Sequence, residues 1–223
     1  LYSSQYDLKF KRMLEVGDLG FGGDFPGFEQ CVNADDWAVF RRVVDEFYDD
    51  SGSVDQQMRH NLLEVMQFLF VRIGYVVHRT HNMTGSGGWL TAVLNSIACL
   101  NKVATASLVC LKRLQPDSCN IDFLTYHVRF ETLGDDHRVC TSPEAAPIIN
   151  GTNFQIYFEQ RGHGYTPPAN DLKEFPPNSY LGEWGFLSGH SVGICSPRFP
   201  GVKYLYALDL PSVLRRFTWV KKN

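Results

Sequence analysis

The sequence predicts an α+β domain with an antiparallel sheet at its centre. The stretch 89–114 is rich in Ala, Leu, Val and Ile and contains neither Pro nor Gly, which predicts one long and largely buried helix. Two strand-like runs, at 123–133 and 137–140, flank a Gly-Asp-Asp sequence at 134–136, a pattern typical of a tight hairpin. Helical and strand-like segments are mixed along the rest of the chain, and no internal repeat is present.

A helix near residues 5–15 is expected first, and a glycine-rich stretch at 17–27 follows it. Because glycine and proline recur there at short intervals, no long helix can cross this stretch and the backbone must turn tightly. Asn33 is placed to cap the next helix, and Asp36 lies in the first turn of that helix. Apolar residues at helical spacing behind this cap predict a helix with one buried face.

The middle of the chain predicts a second helix, a strand and then the long helix. Residues 58–70 are amphipathic with a helical period, and the β-branched and aromatic run 71–78 predicts a strand. This strand enters a loop at 82–88, so the long helix begins directly after a Gly-Ser-Gly-Gly sequence. A helix at about 152–161 follows the hairpin, and the stretch 162–177 is rich in loop-forming residues.

Composition and charge place the chain among ordinary globular proteins. Hydrophobic residues make up 44% of the 223 residues and charged residues 20%, which excludes a disordered or collagen-like chain. The net charge of -3 argues against a protein whose main role is to coat nucleic acid, because such a protein needs a basic surface to neutralise phosphates. No apolar run approaches the roughly 18 residues of a membrane span, so we expect no integral membrane segment.

The first residues and the cysteines indicate the context of the chain. The N-terminus has neither an initiator Met nor a signal sequence, so we expect a fragment of a longer chain. The six cysteines lack the spacing of a zinc site, and their scatter suits reduced thiols in the cytosol better than a disulfide framework. The basic tail at 198–223 is typical of a solvated helix face, with contact to a nucleic-acid backbone as the alternative.

Asp135 and Asp136 are expected at the tip of the predicted hairpin. Two carboxylates held this close together repel each other unless a cation or a shared proton lies between them. Mg²⁺ prefers carboxylate oxygens, water and substrate phosphates, so the pair points to phosphoryl chemistry. An ordinary solvated turn is the alternative, since turns are rich in Asp.

A second acidic segment, GDFPGFE at 23–29, contains Asp24 and Glu29. Asp24 follows a glycine where a strand is expected to end, and Glu29, five residues later, can point back into the same cleft. A lone acid after glycine is also a common turn residue, so this segment alone does not decide between a site and a turn.

The loop before the long helix carries a third group of candidates. Ser86 and Gly87 lead into the helix, where backbone N–H groups are available to a ligand. Thr91 and Asn95, four residues apart, share one face of that helix and can hydrogen-bond a sugar or a base. A capped, buried helix with two satisfied polar residues is the alternative.

In order and in content, these three segments resemble the palm motifs of viral RNA-dependent RNA polymerases of the picorna-like positive-strand RNA virus group. GDFPGFE looks like the first motif, Asp-x4-Asp. SGGWLTAVLN at 86–95 matches the second, Ser-Gly-x3-Thr-x3-Asn, at every fixed position, and LGDD at 133–136 is similar to the third, Tyr-Gly-Asp-Asp. Looser similarity to the fourth and fifth motifs extends over two more segments, at 164–169 and 184–187.

The resemblance implies a polymerase palm with a ferredoxin-like antiparallel sheet, here of three strands, and helices on one face. It also implies nucleotidyl transfer, in which Asp24 and Asp135 hold two Mg²⁺ ions and Asp136 assists as a neighbouring ligand, with Mn²⁺ able to substitute. Glycine at position 134 favours an RNA polymerase over a reverse transcriptase, which usually has a larger residue there.

The second-motif residues and Glu29 take nucleotide-binding roles by the same resemblance. Asn95 and Glu29 would read the ribose 2′-hydroxyl, the group that distinguishes ribonucleotides from deoxyribonucleotides. Ser86, Gly87 and Thr91 would position the nucleotide and the template. Glu29 stands where the family usually has Asp, so its longer side chain implies a rearranged ribose contact.

Other positions depart from the family pattern. Leu133 replaces the usual Tyr before the Gly-Asp-Asp sequence. Asn170 falls where the family's Lys, the general acid for the leaving pyrophosphate, is expected, and Lys173 is the possible substitute. A Ser-Gly pair at 188–189 replaces the basic pair of the primer-gripping hairpin, and Asp18 is an alternative acid for the first motif.

The resemblance predicts a palm over 1–195, with part of the fingers inserted around 49–82, and the start of a thumb over 196–223. The implied function is template-directed RNA synthesis for viral genome replication and transcription. Its implied partners are an RNA template and primer, ribonucleoside triphosphates, and the remaining fingers and thumb of the same polyprotein. The expected location is a viral replication complex in the host cytoplasm.

Two other functions remain open from the sequence. A diverged palm could bind RNA or a protein partner without turnover, which the departures at residues 29, 170 and 188–189 favour. A different two-metal enzyme, a nuclease or phosphatase, would use the same carboxylates to activate water. Salt-sensitive RNA binding without nucleotide incorporation would indicate the first, and hydrolysis of RNA or nucleotides would indicate the second.

Overall fold

A computed structural model describes residues 3–82, 84, 90–168, 174–187, 189–195, 197–198 and 200–208. In chain order its elements are α1 Ser3–Leu14, β1 Leu19–Gly23, α2 Phe28–Cys31, α3 Ala34–Phe47, α4 Val54–Gln67, β2 Phe70–Ile73, β3 Val76–Arg79, α5 Thr91–Leu114, α6 Ile121–His127, β4 Val128–Leu133, β5 Asp136–Thr141, α7 Gly151–Glu159, β6 Ser179–Tyr180, β7 Gly189–Gly193 and β8 Tyr204–Leu208.

The central sheet is antiparallel and has the strand order β4-β5-β1-β6. β4 and β5 pair as far as Leu133 and Asp136, and β1 and β5 pair as far as Gly23 and His137. The α+β class and the antiparallel sheet predicted from the sequence are confirmed. The sheet has one strand more than the three expected, because the two-residue β6 pairs with the free edge of β1.

α5 is the central helix of the larger core, which lies on one face of the sheet. It packs against β4 and contacts α3 and α7. Its buried residues recur as adjacent pairs once per turn, which is the pattern of a helix with one buried face. They are Leu94, Asn95, Ala98, Cys99, Lys102, Val103, Ala106, Ser107, Cys110 and Leu111.

By length and composition alone, α5 is apolar enough to cross a membrane. The expectation that no apolar run reaches this length is therefore wrong. Core helices of soluble proteins pass the same test, and half of the apolar window is buried inside the domain. Within that buried half, Lys102 Nζ lies 2.7 Å from Asp36 Oδ2 of α3, so a charged pair holds α5 against α3.

The cap predicted for α3 is confirmed. Asn33 accepts hydrogen bonds from the backbone N–H groups of Asp35 and Asp36, and the Asp36 carboxylate accepts from the backbone N–H of Asn33. Trp37 is buried in the first turns of the helix, as its spacing predicts, whereas Phe47 at the last turn is 80% exposed. The helix therefore enters the core at its N-terminal half and leaves it at its C-terminal half.

The opposite face of the sheet is covered by α1 and by the hairpin of β7 and β8. Phe10 of α1 packs with Cys140 of β5 in a second, smaller core. Arg138 of β5 is buried on this face, where its side chain donates to the Glu131 carboxylate and to the Tyr6 hydroxyl. The expectation of helices on one face holds for α3, α5 and α7, and α1 is an additional helix on the other face.

The described part of the basic tail, interpreted from the sequence as a helix face, contains the strand β8. Two further segments differ locally from their predicted structure. The run 71–78, predicted as one strand, is the hairpin of β2 and β3, which turns between Ile73 and Val76. The run 123–133, predicted as a strand, begins as the helix α6. Asn120 caps this helix by accepting from the backbone N–H of Phe123 at 2.7 Å. A cap three residues upstream therefore outweighs the strand propensity of the segment.

Candidate active site at the carboxylate end of the sheet

Two strands of the central sheet end side by side in acidic residues. Gly23 and His137 form the last pair between β1 and β5, so the next residues along the ladder are Asp24 and Asp136. Because side chains alternate along a strand, these two carboxylates leave the sheet on the same face. Asp135 occupies the turn that joins β4 to β5. The structure thus brings the first and third predicted motifs together at one end of the sheet.

The turn that connects β4 to β5, here called the carboxylate turn (134–136), depends on a glycine. Gly134 has a φ of +67°, a backbone conformation that other residues adopt at a cost. Among the described residues, no atom beyond its chain neighbours lies within 4 Å of where a Cβ would stand, so the requirement for glycine is one of backbone conformation and not of space. The predicted tight hairpin is confirmed, with Asp135 and Asp136 at its tip.

Asp136 is affected electrostatically by the other two carboxylates. The pKa of Asp136 is raised, first because neighbouring protein removes part of its solvation and then because Asp135 and Asp24 are close in space. Asp136 keeps contact with solvent, so both effects act at an accessible group. A raised pKa means that the ionised form is disfavoured here, and a cation would relieve that cost.

The donor set suits Mg²⁺ in one specific way. Among the described residues, no group of three or more His, Cys, Asp and Glu side chains converges closely enough to hold a metal ion by itself. Mg²⁺ is commonly bound by one or two carboxylates together with substrate phosphates and water. Accessible carboxylates of Asp24, Asp135 and Asp136 at one strand end fit that manner of binding.

Helix α5 fixes the carboxylate turn from the core side. Ser96 accepts a hydrogen bond from the backbone N–H of Gly134 at 2.7 Å, and the Thr132 hydroxyl donates to the Ser96 carbonyl at 3.2 Å. One turn further along, the Cys99 thiol lies 3.6 Å from the Asp135 carbonyl oxygen, and burial raises the pKa of this thiol. The sequence did not predict these contacts, because nothing distinguishes Ser96 from any other serine on a helix face.

His137 links the same turn to a later segment. The Asp135 carbonyl can only accept, so the Nδ1 of His137 carries the proton and donates to it at 3.1 Å. The Nε2 then has a free lone pair, which accepts from the Tyr165 hydroxyl at 2.9 Å. Burial lowers the pKa of His137 to about 4, so the ring is neutral at neutral pH. Burial also raises the pKa of Tyr165, which therefore keeps its proton.

The segment around Tyr165 also reaches the other carboxylate strand. The backbone N–H of Asp24 donates to the Thr166 carbonyl at 2.9 Å, and the N–H of Thr166 donates to the Asp24 carbonyl at 3.0 Å. Phe25 and Phe28, the residues that follow Asp24, are buried and pack edge to face. The backbone on both sides of Asp24 is thus held, while its carboxylate stays exposed.

The remaining predicted residues lie on α2 and at the start of α5. Asn95 is 6% exposed, and its Oδ1 has no hydrogen-bond partner among the described residues. It lies one helical turn before Cys99, so about 6 Å along the helix from the contact with the carboxylate turn. Thr91, one turn earlier, is half-buried on the same face, and Glu29 is half-buried on α2.

Three predicted residues fall outside the part of the chain that the structure describes. These are Ser86 and Gly87, which the sequence places before α5, and Lys173, the possible general acid. Their roles remain predictions, as do those of the other candidate residues.

Comparison with known proteins agrees with the arrangement of the sheet. A family model described as viral RNA-dependent RNA polymerase matches residues 2–222. The genome polyprotein of rice tungro spherical virus (strain Vt6) is 26% identical over 212 residues, which are 94% of this chain and 6% of the polyprotein. The replicase polyprotein of acute bee paralysis virus (strain Rothamsted) is 28% identical over 172 residues, which are 74% of this chain and 9% of that protein.

A solved chain named Sicinivirus 3Dpol RNA dependent RNA polymerase has the same fold. It superposes on all of this chain with a TM-score of 0.74 at 16% sequence identity, and the match covers 42% of the solved chain. This chain therefore spans less than half the length of that polymerase and less than a tenth of the two polyproteins.

Proposed function

The chain belongs to the viral RNA-dependent RNA polymerase family, and we propose that it is the palm of an enzyme that adds ribonucleoside triphosphates to an RNA 3′-end on an RNA template. The observation that supports this most directly is the common end of β1 and β5. Asp24 and Asp136 lie next to the last pair between these strands, Gly23 with His137, and Asp135 adjoins them in the turn. The activity serves viral genome replication and transcription.

In this proposal Asp24, Asp135 and Asp136 hold two Mg²⁺ ions, for which Mn²⁺ can substitute. When bound, the ions would favour deprotonation of the primer 3′-hydroxyl and neutralise charge on the triphosphate and the leaving pyrophosphate. The protein itself contributes position. The ladder of β1 and β5 holds Asp24 beside Asp136, while Ser96 and His137 hold the main chain of the carboxylate turn.

The nucleotide lies, in this proposal, between the carboxylates and the N-terminal half of α5. The buried Oδ1 of Asn95, which has no hydrogen-bond partner among the described residues, is an acceptor for the ribose 2′-hydroxyl. A buried acceptor without a partner is costly unless a ligand satisfies it. Glu29 takes the second ribose contact, and Ser86, Gly87 and Thr91 position the nucleotide and template.

The assignment of parts extends this proposal to the whole chain. We assign 1–195 to the palm and 196–223 to the start of the thumb, with Lys173 as the possible general acid. The segment 49–82 is assigned to the fingers, and the full exposure of both β2 and β3 supports an excursion from the palm.

The matched polyproteins support a place in a longer polypeptide, which would act with RNA in a replication complex of the host cytoplasm. The six free cysteines suit that reducing compartment.

The test is primer extension by the complete polymerase that contains this chain, with Asp135→Asn as the variant and Asp122→Asn as the control. Asp122 is an exposed acid on α6, away from the carboxylate turn. We expect Asp135→Asn to lower Mg²⁺-dependent incorporation by at least about 10³-fold with unchanged folding, and Asp122→Asn to lower it less than about twofold. Full activity of Asp135→Asn would remove this residue from the mechanism.

The same assay distinguishes the two other functions. A wild-type protein that binds RNA in a salt-sensitive manner, yet incorporates no nucleotide with Mg²⁺ or Mn²⁺, is a non-catalytic palm. A wild-type protein that shortens the RNA instead of extending it is a nuclease. Either result would overturn the proposal.

A further inference from the structure

Tyr165 lies against the backbone of β1 at the residue before Asp24. A Cβ added to Gly23 would stand 2.2 Å from both the Cζ and the hydroxyl oxygen of Tyr165. No side chain fits in that space, so glycine at this position lets the phenol ring of Tyr165 pack directly against the backbone of β1. The ring itself is 1% exposed and stacks on Phe175 with centroids 5.2 Å apart.

From this position the Tyr165 hydroxyl begins a chain of two hydrogen bonds. It donates to His137 Nε2 at 2.9 Å, and His137 Nδ1 donates to the Asp135 carbonyl at 3.1 Å. His137 is 2% exposed, so neither bond competes with water. The chain ends on the main chain of a carboxylate residue and not on its side chain, which leaves the Asp135 carboxylate available to a ligand.

The same short segment is tied to the other carboxylate strand by its backbone. Thr166, the next residue, exchanges two hydrogen bonds with Asp24, at 2.9 and 3.0 Å. One segment therefore holds both strands that carry the site, Asp24 through the main chain and Asp135 through a side-chain relay. A displacement of this segment would move the two carboxylates relative to each other.

We infer that Tyr165 and His137 are a positioning pair, which sets the main chain of Asp135 relative to Asp24 and couples the carboxylate turn to the segment 164–166. This inference rests on the proposed nucleotidyl transfer. Neither residue touches the reacting atoms. Their contribution is alignment, and a misalignment of about 1 Å in a site of this kind can lower a rate by about 10²-fold.

The decisive variant is Tyr165→Phe, which removes the hydroxyl and keeps the stacked ring. Tyr157→Phe is the matched control, because Tyr157 is another buried tyrosine of the same core, and its ring packs against Phe158 and Arg161. In the complete polymerase we expect Tyr165→Phe to lower kcat for nucleotide addition by about 10-fold with the KM for the nucleotide within about twofold. Tyr157→Phe should leave both constants within about twofold.

A second readout does not depend on activity. Hydrogen exchange of a peptide covering 133–138 should be about 5-fold faster in Tyr165→Phe than in the wild type. His137, which donates to the Asp135 carbonyl, has then lost its own hydrogen bond from Tyr165. The same peptide should exchange at the wild-type rate in Tyr157→Phe. Equal exchange in the two variants would overturn the inference, as would equal kcat.

His137→Asn, alone and combined with Tyr165→Phe, tests whether the two residues act through one another. An asparagine amide can still donate to the Asp135 carbonyl but is too short to reach Tyr165. If the two residues act through one another, Tyr165→Phe adds less than about twofold to the loss of kcat in the His137→Asn background. Additive losses would mean that each residue acts separately, and the pair would be rejected.

The outcomes also separate this inference from the proposed function. An inactive Asp135→Asn enzyme together with a Tyr165→Phe enzyme that behaves like Tyr157→Phe leaves the polymerase proposal intact and removes the positioning pair. Full activity of Asp135→Asn removes the proposed function itself, whatever Tyr165→Phe does.

Discussion

The molecule contains two hairpins with the same local design and opposite surroundings. β2–β3 and β4–β5 each turn through two residues, and each turn begins with a glycine of positive φ, +62° at Gly74 and +67° at Gly134. All eight residues of β2 and β3 are exposed. In contrast, β5 is buried from His137 to Thr141, and the Gly134 N–H of its turn donates a hydrogen bond to Ser96 of α5.

The difference shows what makes a turn suitable for a site. Local sequence alone sets the backbone of both turns, and a two-stranded hairpin without further support is only marginally stable. The carboxylate turn is additionally fixed by Ser96, Cys99 and His137, which contact its main chain and leave its acidic side chains accessible. A tight turn gives the carboxylates their proximity, and the packing around it gives them a fixed position.

The sharpest test of this comparison replaces each turn glycine by alanine. At both sites a Cβ would meet no atom of the described residues within 4 Å, beyond the chain neighbours, so each substitution costs backbone strain alone, about 1 to 2 kcal/mol of folding free energy. We expect Gly134→Ala to lower primer extension by about 10- to 100-fold, because the strain displaces the acids. Gly74→Ala should lower it less than about twofold at a similar loss of stability.

Thermal unfolding and primer extension of the complete polymerase, measured on the same preparations, decide this prediction. Equal activity losses in the two variants would show that the response follows stability. The comparison between the two turns would then carry no information about the site.

Features of this molecule that depend on residues close in sequence could be predicted, whereas contacts between distant residues could not. The cap at Asn33, the long helix and the hairpin at Gly134 depend on residues a few positions apart, and all three are confirmed. The helix α6 and the turn at Gly74 were missed, although each has a local signal in a cap or a glycine. In both segments these local signals outweigh the propensity of the residues for a continuous strand.

The contacts that hold the site could not be read from the sequence. Ser96 and Gly134 are 38 residues apart and His137 and Tyr165 are 28 apart, and only the packing of α5 and of the later segment on the sheet brings them together. Arg138 illustrates the same limit. A charged residue at that position predicts exposure, yet it is fully buried because Glu131 lies opposite it on β4.

A smaller effect is expected from the helix that supports the turn. Ser96 and Ser107 both lie on α5, and the hydroxyl of each donates to the carbonyl four residues earlier, at 2.6 and 2.8 Å. Ser96 alone of the two also accepts from Gly134. We expect Ser96→Ala to lower kcat by about 3- to 10-fold and the stability by about 1 kcal/mol, and Ser107→Ala to change stability by a similar amount with kcat unchanged.

Steady-state kinetics and denaturant unfolding of the two variants check this pair. Because the substitutions are chemically identical and share one helix, a difference in kcat between them measures the contact with the turn. Indistinguishable kcat values would show that α5 supports the fold but not the position of the acids.

The smallest expected effect concerns the cost of holding the acids together. The pKa of Asp136 is raised in the folded protein by lost solvation and by Asp135 and Asp24, so its ionised form is less stable there than in the unfolded chain. At neutral pH, Asp136→Asn should therefore raise the free energy of unfolding in divalent-free buffer, by less than about 1 kcal/mol because the group is accessible to solvent. Asp122→Asn should not raise it, since a carboxylate in the first turn of α6 interacts favourably with the helix dipole.

Added Mg²⁺ should raise the melting temperature of the wild type more than that of Asp136→Asn, because binding stabilises only the state that holds the ion. If Asp136→Asn is less stable than the wild type in divalent-free buffer, the carboxylate turn is not under electrostatic strain. The carboxylate turn would then differ from the turn of the exposed hairpin only in its position in the fold.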